Sequence, residues 1–185
     1  MSSKIFTTFY IVRHGESEGN VKKVLQGHMD FPLSEAGVKQ AKLRATELLH
    51  VPFDFAFASD LLRAHRTAEI IALEHRLVVK TTEALRERKY GLFEGLSHEN
   101  STVEIEALFD EWHQMAERAW MKHKLDAYFE SGDEMVSRTL TFIREIAVLH
   151  KGKMILVVSH GDLMKNLLIH LGWGTKEELS FGAIK

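Results

Sequence analysis

At 185 residues, with 45% apolar and 27% charged side chains, the chain is long enough for a real core and has an ordinary globular composition. A net charge of −2 supplies no global basic field, which argues against nucleic acid or a membrane surface as partner, and no apolar run approaches the roughly 20 residues that span a bilayer. Cysteine is absent, which removes any thiol nucleophile, and the MSSK start has no signal-peptide pattern, so a cytoplasmic location is expected.

In chain order, Ile5 to Val12 (IFTTFYIV) reads as a buried strand ending on Arg13 and His14, which packing alone does not require. The turn continues Gly15-Glu16-Ser17-Glu18-Gly19-Asn20. A strand end that delivers a cation and an imidazole onto a glycine turn is how an α/β protein meets an anionic ligand. Pro32-Leu33-Ser34 leads into a helix over Glu35 to His50, with Val38, Ala41, Ala45, Leu48 and Leu49 at helical spacing and Ser34 as N-cap. Phe53 to Ser59 predicts a strand, and Asp60 is the expected cap of a helix running to about Glu74. Leu77 to Thr81 is a short β-branched strand.

Residues 99–130 are charged and mostly helical, with an irregular pattern that predicts an inserted lid rather than sheet scaffold. Asp133 to His150 is amphipathic and ends at Gly152. Met154 to Ser159 (MILVVS) is the clearest buried strand, and His160-Gly161 turns into a helix over Asp162 to Leu171. Strands alternating with helices predict an α/β fold in three layers, a mostly parallel sheet with helices on both faces, as one domain over residues 1–185. Ligands of such sheets bind at the carboxyl ends of the strands. Arg13-His14, the turn from Ser59 to Arg63, and His160-Gly161 all fall there, which predicts one site.

Four motifs recur in order: Arg13-His14-Gly15-Glu16-Ser17 with Asn20; Ser59-Asp60-Leu61-Leu62-Arg63 with Thr67-Ala68; Leu85-Arg86-Glu87-Arg88-Lys89-Tyr90-Gly91 with Glu94-Gly95; and Ser159-His160-Gly161. From about Phe9 to Leu171 this set resembles the histidine phosphatase superfamily, which contains cofactor-dependent phosphoglycerate mutases and many small-molecule phosphatases. The resemblance implies that His14 is the nucleophile that becomes phosphorylated. An imidazole with a pKa near 6.5 is substantially unprotonated at neutrality, and its second ring nitrogen must be held by an acceptor. Arg13 and Arg63 would clamp the phosphate oxygens with planar guanidinium forks, and His160 would donate to the same oxygens. Glu87 would protonate the leaving alkoxide and then activate water. Asn20 would add a neutral hydrogen bond, and Gln26 and Gly27 match positions at the pocket entrance. The implied substrate contacts are therefore Arg13, Asn20, Gln26, Gly27, Arg63, Glu87, Tyr90, His160 and Gly161.

Blander readings apply to other residues. Arg66 is the arginine expected to pair with Glu69 or Asp60 on the helix surface, and the remaining histidines, such as His28, His75, His98 and His150, are expected mostly at the surface. Trp112 and Trp120 are expected to pack rather than to cover substrate. His160-x-Asp162 alone lacks the companion ligands of a metallophosphatase, and Gly152-Lys153 lacks a P-loop's glycine spacing. The resemblance implies no metal and no cofactor, because arginines and histidines supply the positive charge. The expected activity is metal-independent phosphomonoester hydrolysis through phosphohistidine on a small phosphorylated metabolite. The alternative is a phosphoglycerate mutase, in which 2,3-bisphosphoglycerate would be the cofactor. A non-enzymatic phosphate-binding module would not need both His14 and Glu87. The mutase pattern has an Arg-Arg pair in the insertion and an aromatic-rich segment after the Asn20 turn. Here the insertion has isolated Arg118, Lys122 and Lys124, and the turn continues Val24-Leu25-Gln26-Gly27-His28, so phosphatase is favoured. Family members usually continue into a further strand, which this chain only begins at Ser180 to Lys185.

Overall fold

The computed structural model describes residues 6–97 and 99–179. Four strands, β1 (Thr8–Arg13), β2 (Phe55–Ser59), β3 (Val79–Thr82) and β4 (Met154–Ser159), form a parallel sheet in the order β1-β4-β2-β3. The helices are α1 (Glu18–Val21), α2 (Glu35–Glu47), α3 (Leu62–Glu74), α4 (Val103–Gln114), α5 (Glu117–Lys122), α6 (Gly132–Leu149) and α7 (Gly161–His170). This is the α/β architecture expected from the alternation of strands and helices. Ile5, His98 and Ser180 to Lys185 lie outside the described residues.

The side-chain period of two divides the core. Leu156 and Val158 of β4 join Ala56 and Ala58 of β2 against Ala64, Ala68 and Ile71 of α3 and Ala45 of α2. Ile155 and Val157 face the other way, with Phe57 and Ile146 of α6. Both faces are covered, so β4 reads as a continuous apolar run rather than an alternating one. The small residues of α3 let its axis lie close to the sheet. A third cluster lies apart from the sheet, where Trp112 of α4, Trp120 of α5, Tyr90, Phe93 and Phe129 pack with Val136 and Ile169. The segment 99–130 thus has its own aromatic core, and both tryptophans are in it.

Chain direction explains where a ligand can enter. The path β1-α2-β2-α3-β3 steps across the sheet with its helices on one face. The return through α6 on the opposite face inserts β4 between β1 and β2. After β4, α7 packs on the α6 side. The chain therefore leaves the adjacent carboxyl ends of β1 and β4 toward opposite faces, the arrangement that opens a ligand crevice. Register puts Arg13 beside Ser159, and the His14 N–H donates to Ser159 O at 3.0 Å.

Several ends differ from the sequence reading. The second strand begins at Phe55 and the third runs Val79–Thr82. Ser34 does cap α2, accepting from Gly37 N at 3.0 Å. Asp60 does not cap α3, whose N-cap residue is Leu61. Asp30 reaches from a distant loop to accept from Leu62 N at 2.6 Å, and Asp60 instead accepts from Arg86 Nε at 2.8 Å. The competing ion pair took the residue that local pattern assigned to the cap. Among the described residues no helix is long and apolar enough to cross a membrane. Leu156 is fully buried within the sheet core, so Leu156→Ala is expected to cost about 2–5 kcal/mol, read as a lower urea midpoint with an unchanged m-value.

Candidate active site

The turn after β1 is held from three sides. Gly15 N donates to Thr67 Oγ1 at 3.1 Å, and Thr67 Oγ1 donates to Arg63 O one helical turn earlier at 2.8 Å. Ser34 N donates to Glu16 O at 2.9 Å. Gly37 sits so close to Glu16 that a Cβ there would overlap the Glu16 carbonyl, so only glycine lets α2 approach the turn. Sequence periodicity gave Gly37 no role; a glycine inside an otherwise regular helix was the available signal.

His14 is buried on this turn, and its Nδ1 donates to Gly15 O at 2.6 Å. A carbonyl only accepts, so the proton is on Nδ1 and the Nε2 lone pair is free. Burial, then the Arg63 guanidinium, and to a lesser degree Arg13, lower its pKa to about 3, against the pull of the Gly15 carbonyl. His160, at the end of β4, faces it with ring centroids 5.1 Å apart and is completely buried. Neither His160 nitrogen has a hydrogen-bond partner among the described residues. Burial and the neighbouring His14 and Arg63 hold its pKa well below the ordinary value.

Arg63 enters from α3, fully buried. Its Nη1 donates to Met29 O at 2.9 Å and its Nη2 to Gly27 O at 2.8 Å, while Nε is unpartnered. The guanidinium of Arg13 lies against Gly161, where a side chain would crowd it. Asn20 Oδ1 accepts from Ser17 N at 3.0 Å, which leaves its Nδ2 donors available. Buried unpartnered donors cost stability unless something accepts from them, so this cluster is built for an anion.

Glu87 lies on the loop after β3, its carboxylate at the N-terminus of α7. Oε1 accepts from Arg88 N at 3.0 Å and Leu163 N at 3.1 Å, and Oε2 accepts from Asp162 N at 3.2 Å. Burial, followed by the Asp162 carboxylate, pushes its pKa up, against those N–H groups and Arg63.

A cavity of about 560 Å³ opens here, lined by Arg13, His14, Gly15, Asn20 and Thr67, with α2 forming its other wall. His160 faces the His14 ring and Arg63 acts on both, but these two, with Gly161 and Glu87, do not line the cavity, and the Glu87 carboxylate lies against the N-terminus of α7. Three further expected substrate contacts are committed to the surrounding loops. The Gln26 side chain is buried, its Oε1 accepting from Ser17 Oγ at 2.7 Å. Gly27 O is taken by Arg63, and Tyr90 is buried with its hydroxyl donating to Asp162 Oδ2 at 3.3 Å. All three brace the loops instead of lining the cavity. Residues 99–130 do not line it either; α4 borders a second cavity that meets the first at Asn20. His28 is not simply at the surface, because its Nε2 donates to Glu87 O at 2.9 Å, and His75 and His150 pack on Phe53 and Phe55. Arg66 pairs with Glu69 as expected.

A parallel α/β sheet with imidazoles and guanidiniums gathered at its switch point defines the class as an α/β protein built around an anion site. The chain belongs to the histidine phosphatase superfamily (branch 1), whose family model matches residues 9–181. It is 34% identical over 169 residues to Phosphoglycerate mutase-like protein 4 of Arabidopsis thaliana, covering 88% of this chain and 70% of that protein. It is 32% identical to a probable phosphatase of Schizosaccharomyces pombe, covering 87% and 71%. Among solved structures, Bacillus stearothermophilus YhfR superposes with a TM-score of 0.82 at 29% identity, covering 94% of this chain and 84% of that one. A mycobacterial glucosyl-3-phosphoglycerate phosphatase in complex with VO3 gives 0.79 at 26% identity, covering 93% and 84%. The relatives thus include phosphatases and mutase-like proteins.

The depressed histidine pKa values set a pH dependence. Unfolding lets His14, His160 and His28 regain ordinary values near 6.5, so below that pH the unfolded chain binds protons the folded chain does not. Their effect on stability is absent well above pH 6.5 and becomes destabilising as pH falls toward 3. Each histidine contributes a slope of up to about 1.4 kcal/mol per pH unit, with Glu87 pulling the opposite way. Urea unfolding from pH 7.5 to 5 is expected to show a falling midpoint, less steep in His14→Ala.

Proposed function

We propose that the protein is a metal-independent phosphomonoester hydrolase that works through a phosphohistidine at His14 on a small phosphorylated metabolite. The observation that carries this reading is the His14 ring: Nδ1 is committed to Gly15 O, Nε2 is free, and the ring faces a buried His160 with two unpartnered nitrogens. A binding module gains nothing from a neutral, oriented imidazole in the centre of its anion site.

In the first step His14 Nε2 attacks phosphorus and the bond from phosphorus to the ester oxygen breaks. Glu87 gives its proton to the departing alkoxide. The Gly15 carbonyl, already bonded to Nδ1–H, supports the positive charge that the ring acquires. Arg13, Arg63, His160 and Asn20 hold the three equatorial oxygens as their charge redistributes. In the second step water attacks phosphorus, Glu87 takes its proton, and the bond to Nε2 breaks to restore the imidazole. Oε2 of Glu87 accepts one backbone N–H where Oε1 accepts two, which favours Oε2 as the proton carrier. Guanidiniums and imidazoles supply the charge stabilisation, so no metal or organic cofactor is assigned. Asp162, the carboxylate nearest His160 in sequence, is taken by Arg88.

Hydrolysis rather than mutase activity is favoured by where the insertion's cations sit. Lys124 pairs with Glu134 at 2.9 Å, and Arg118 and Lys122 line a separate cavity with Glu117 and Asp133. None lines the cavity at His14, and Arg44 of α2, which does line it, is paired with Glu47, which weakens its attraction for a second anionic end of a substrate.

The test is phosphate release from a panel of phosphomonoesters with EDTA present, with coupled detection of 2-phosphoglycerate from 3-phosphoglycerate. His14→Ala is expected to abolish release while leaving the thermal transition in place; near-normal release would end the mechanism. Isomerisation outpacing release would make the protein a mutase. Glu87→Gln is expected to slow transfer from alkyl phosphates by about 100-fold or more, and from p-nitrophenyl phosphate, whose leaving group needs little protonation, by far less.

A further inference from the structure

Arg88 follows Glu87 in sequence, and a cation beside the acid suggests a substrate contact. The structure gives it different work. Its guanidinium is wholly buried, with Nε donating to Asp162 Oδ2 at 2.6 Å, Nη1 to Glu130 O at 2.6 Å and Nη2 to Asn166 Oδ1 at 3.2 Å. Asp162 is equally enclosed. Asn166 Nδ2 donates to its Oδ1 at 3.0 Å, and the Tyr90 hydroxyl shares Oδ2 with Arg88. The rings of Trp112, Trp120 and Phe129 surround the guanidinium carbon at 5.3, 5.7 and 5.4 Å.

An isolated ion pair taken this far from water is weak evidence of stability, since desolvation costs several kcal/mol per ion. What distinguishes this pair is what its two backbones do. The N–H of Arg88 and the N–H of Asp162, with that of Leu163, are the three donors to the Glu87 carboxylate. The side-chain pair therefore fixes the distance between the two pieces of backbone that grip the carboxylate.

We infer that Arg88 and Asp162 are positioning residues for Glu87, locking the loop after β3 to the N-terminus of α7, with the aromatic box from α4 and α5 holding the lock closed. This rests on the reading of Glu87 as the acid. Other groups bear on Glu87 as well: Arg63 from α3 faces its carboxylate, and Arg138 of α6 and His28 donate to its carbonyl at 3.0 and 2.9 Å. Asp162 stands apart from these, because it both supplies a backbone donor and, as the nearby negative charge, favours the protonated acid.

The test compares Arg88→Lys, Asp162→Asn and Tyr90→Phe with Glu87→Gln, each assayed on an alkyl phosphate and on p-nitrophenyl phosphate, with inhibition by inorganic phosphate. Arg88→Lys keeps the charge but loses the fork, and Tyr90→Phe removes a single hydrogen bond, so a folded variant is available should the others unfold. Arg88→Lys and Asp162→Asn are expected to lower the alkyl to p-nitrophenyl ratio of kcat/KM, which reports phosphoryl transfer without the hydrolysis step common to both substrates, by about 10-fold or more, as misplacement of an acid does, with phosphate inhibition unchanged. Tyr90→Phe should move the ratio the same way by less. Asp162→Asn is also expected to move the alkaline limb of the alkyl-phosphate profile to lower pH, because an acid relieved of a neighbouring carboxylate loses its proton sooner. Equal losses on both substrates, or weakened phosphate inhibition in Arg88→Lys, would overturn the inference and make Arg88 a structural or substrate-binding cation. A normal ratio in these variants, with a depressed ratio in Glu87→Gln, would overturn the positioning role alone. An undepressed ratio in Glu87→Gln would overturn the acid assignment and the inference with it.

Discussion

The chemistry of this site depends on the cost of keeping a charge on a buried imidazole. His14 and His160 stand beside two guanidiniums at the ends of adjacent strands, so burial and repulsion both act against protonation. A neutral ring with Nδ1 tied to Gly15 O has one nitrogen left, and that nitrogen has a lone pair. The same environment leaves His160 and Arg63 Nε with donors and no acceptor. An entering anion, such as the phosphate of the proposed substrate, would relieve both conditions, since it would accept from the orphaned donors and its charge would offset that of the arginines. On the proposed mechanism, nucleophile and anion trap are thus two consequences of one enclosure.

That enclosure comes from backbone geometry before any side-chain choice. The register of β1 against β4 sets Arg13 beside Ser159, and the hydrogen bond from His14 N to Ser159 O continues the ladder past the strand end. The close approach at Gly37 brings α2 onto the turn. The loops that complete the site are irregular, and their carbonyls would be unpaired without help. Two arginines provide it: buried Arg63 takes the carbonyls of Gly27 and Met29, and half-buried Arg138 takes those of Ala84, Arg86 and Glu87. Arg63 therefore serves the loop with its Nη groups and leaves Nε for a ligand.

What the sequence made legible is local. The run MILVVS is a strand because both faces are covered, and the Arg13-His14-Gly15 and His160-Gly161 motifs fall on strand ends because alternation of strand and helix places them there. Ser34 reads as a cap because the acceptor and the donor are three residues apart. Contacts between distant segments left no such mark. Asp30 caps α3 across 32 residues, and Arg88 meets Asp162 across 74. Gln26 and Tyr90 sit in motifs beside the site, yet adjacency along the chain does not say whether a side chain turns toward the cavity or braces the loop that forms it. The insertion was recognisable as a separate helical unit from its irregular pattern, while its aromatic core around Arg88 depends on rings drawn from α4, α5 and the loop at Phe129.

Buried polar side chains here fall into two groups, and their hydrogen-bonding capacity separates them. Asp162 accepts at both oxygens, Arg88 donates from all three nitrogens, and Glu87 is gripped by three N–H groups. Such saturation fixes position, since moving any member breaks several bonds at once in a medium where each is hard to replace. His160 and the Nε of Arg63 are equally buried and hold no partner among the described residues. An unfilled donor in an interior has a standing cost, which the fold sustains only because the rest of the structure leaves it no other conformation. The saturated groups form the frame; Trp112 Nε1, Trp120 Nε1 and His75 Nε2 are unfilled as well but lie away from the cavity, so it is the gathering of unfilled groups beside Arg13 and His14 that marks where charge can arrive from outside. His14 belongs to both groups, with one nitrogen filled and one free, and that division suits the nucleophile we propose: the bond to Gly15 O fixes the ring and leaves Nε2 with its lone pair.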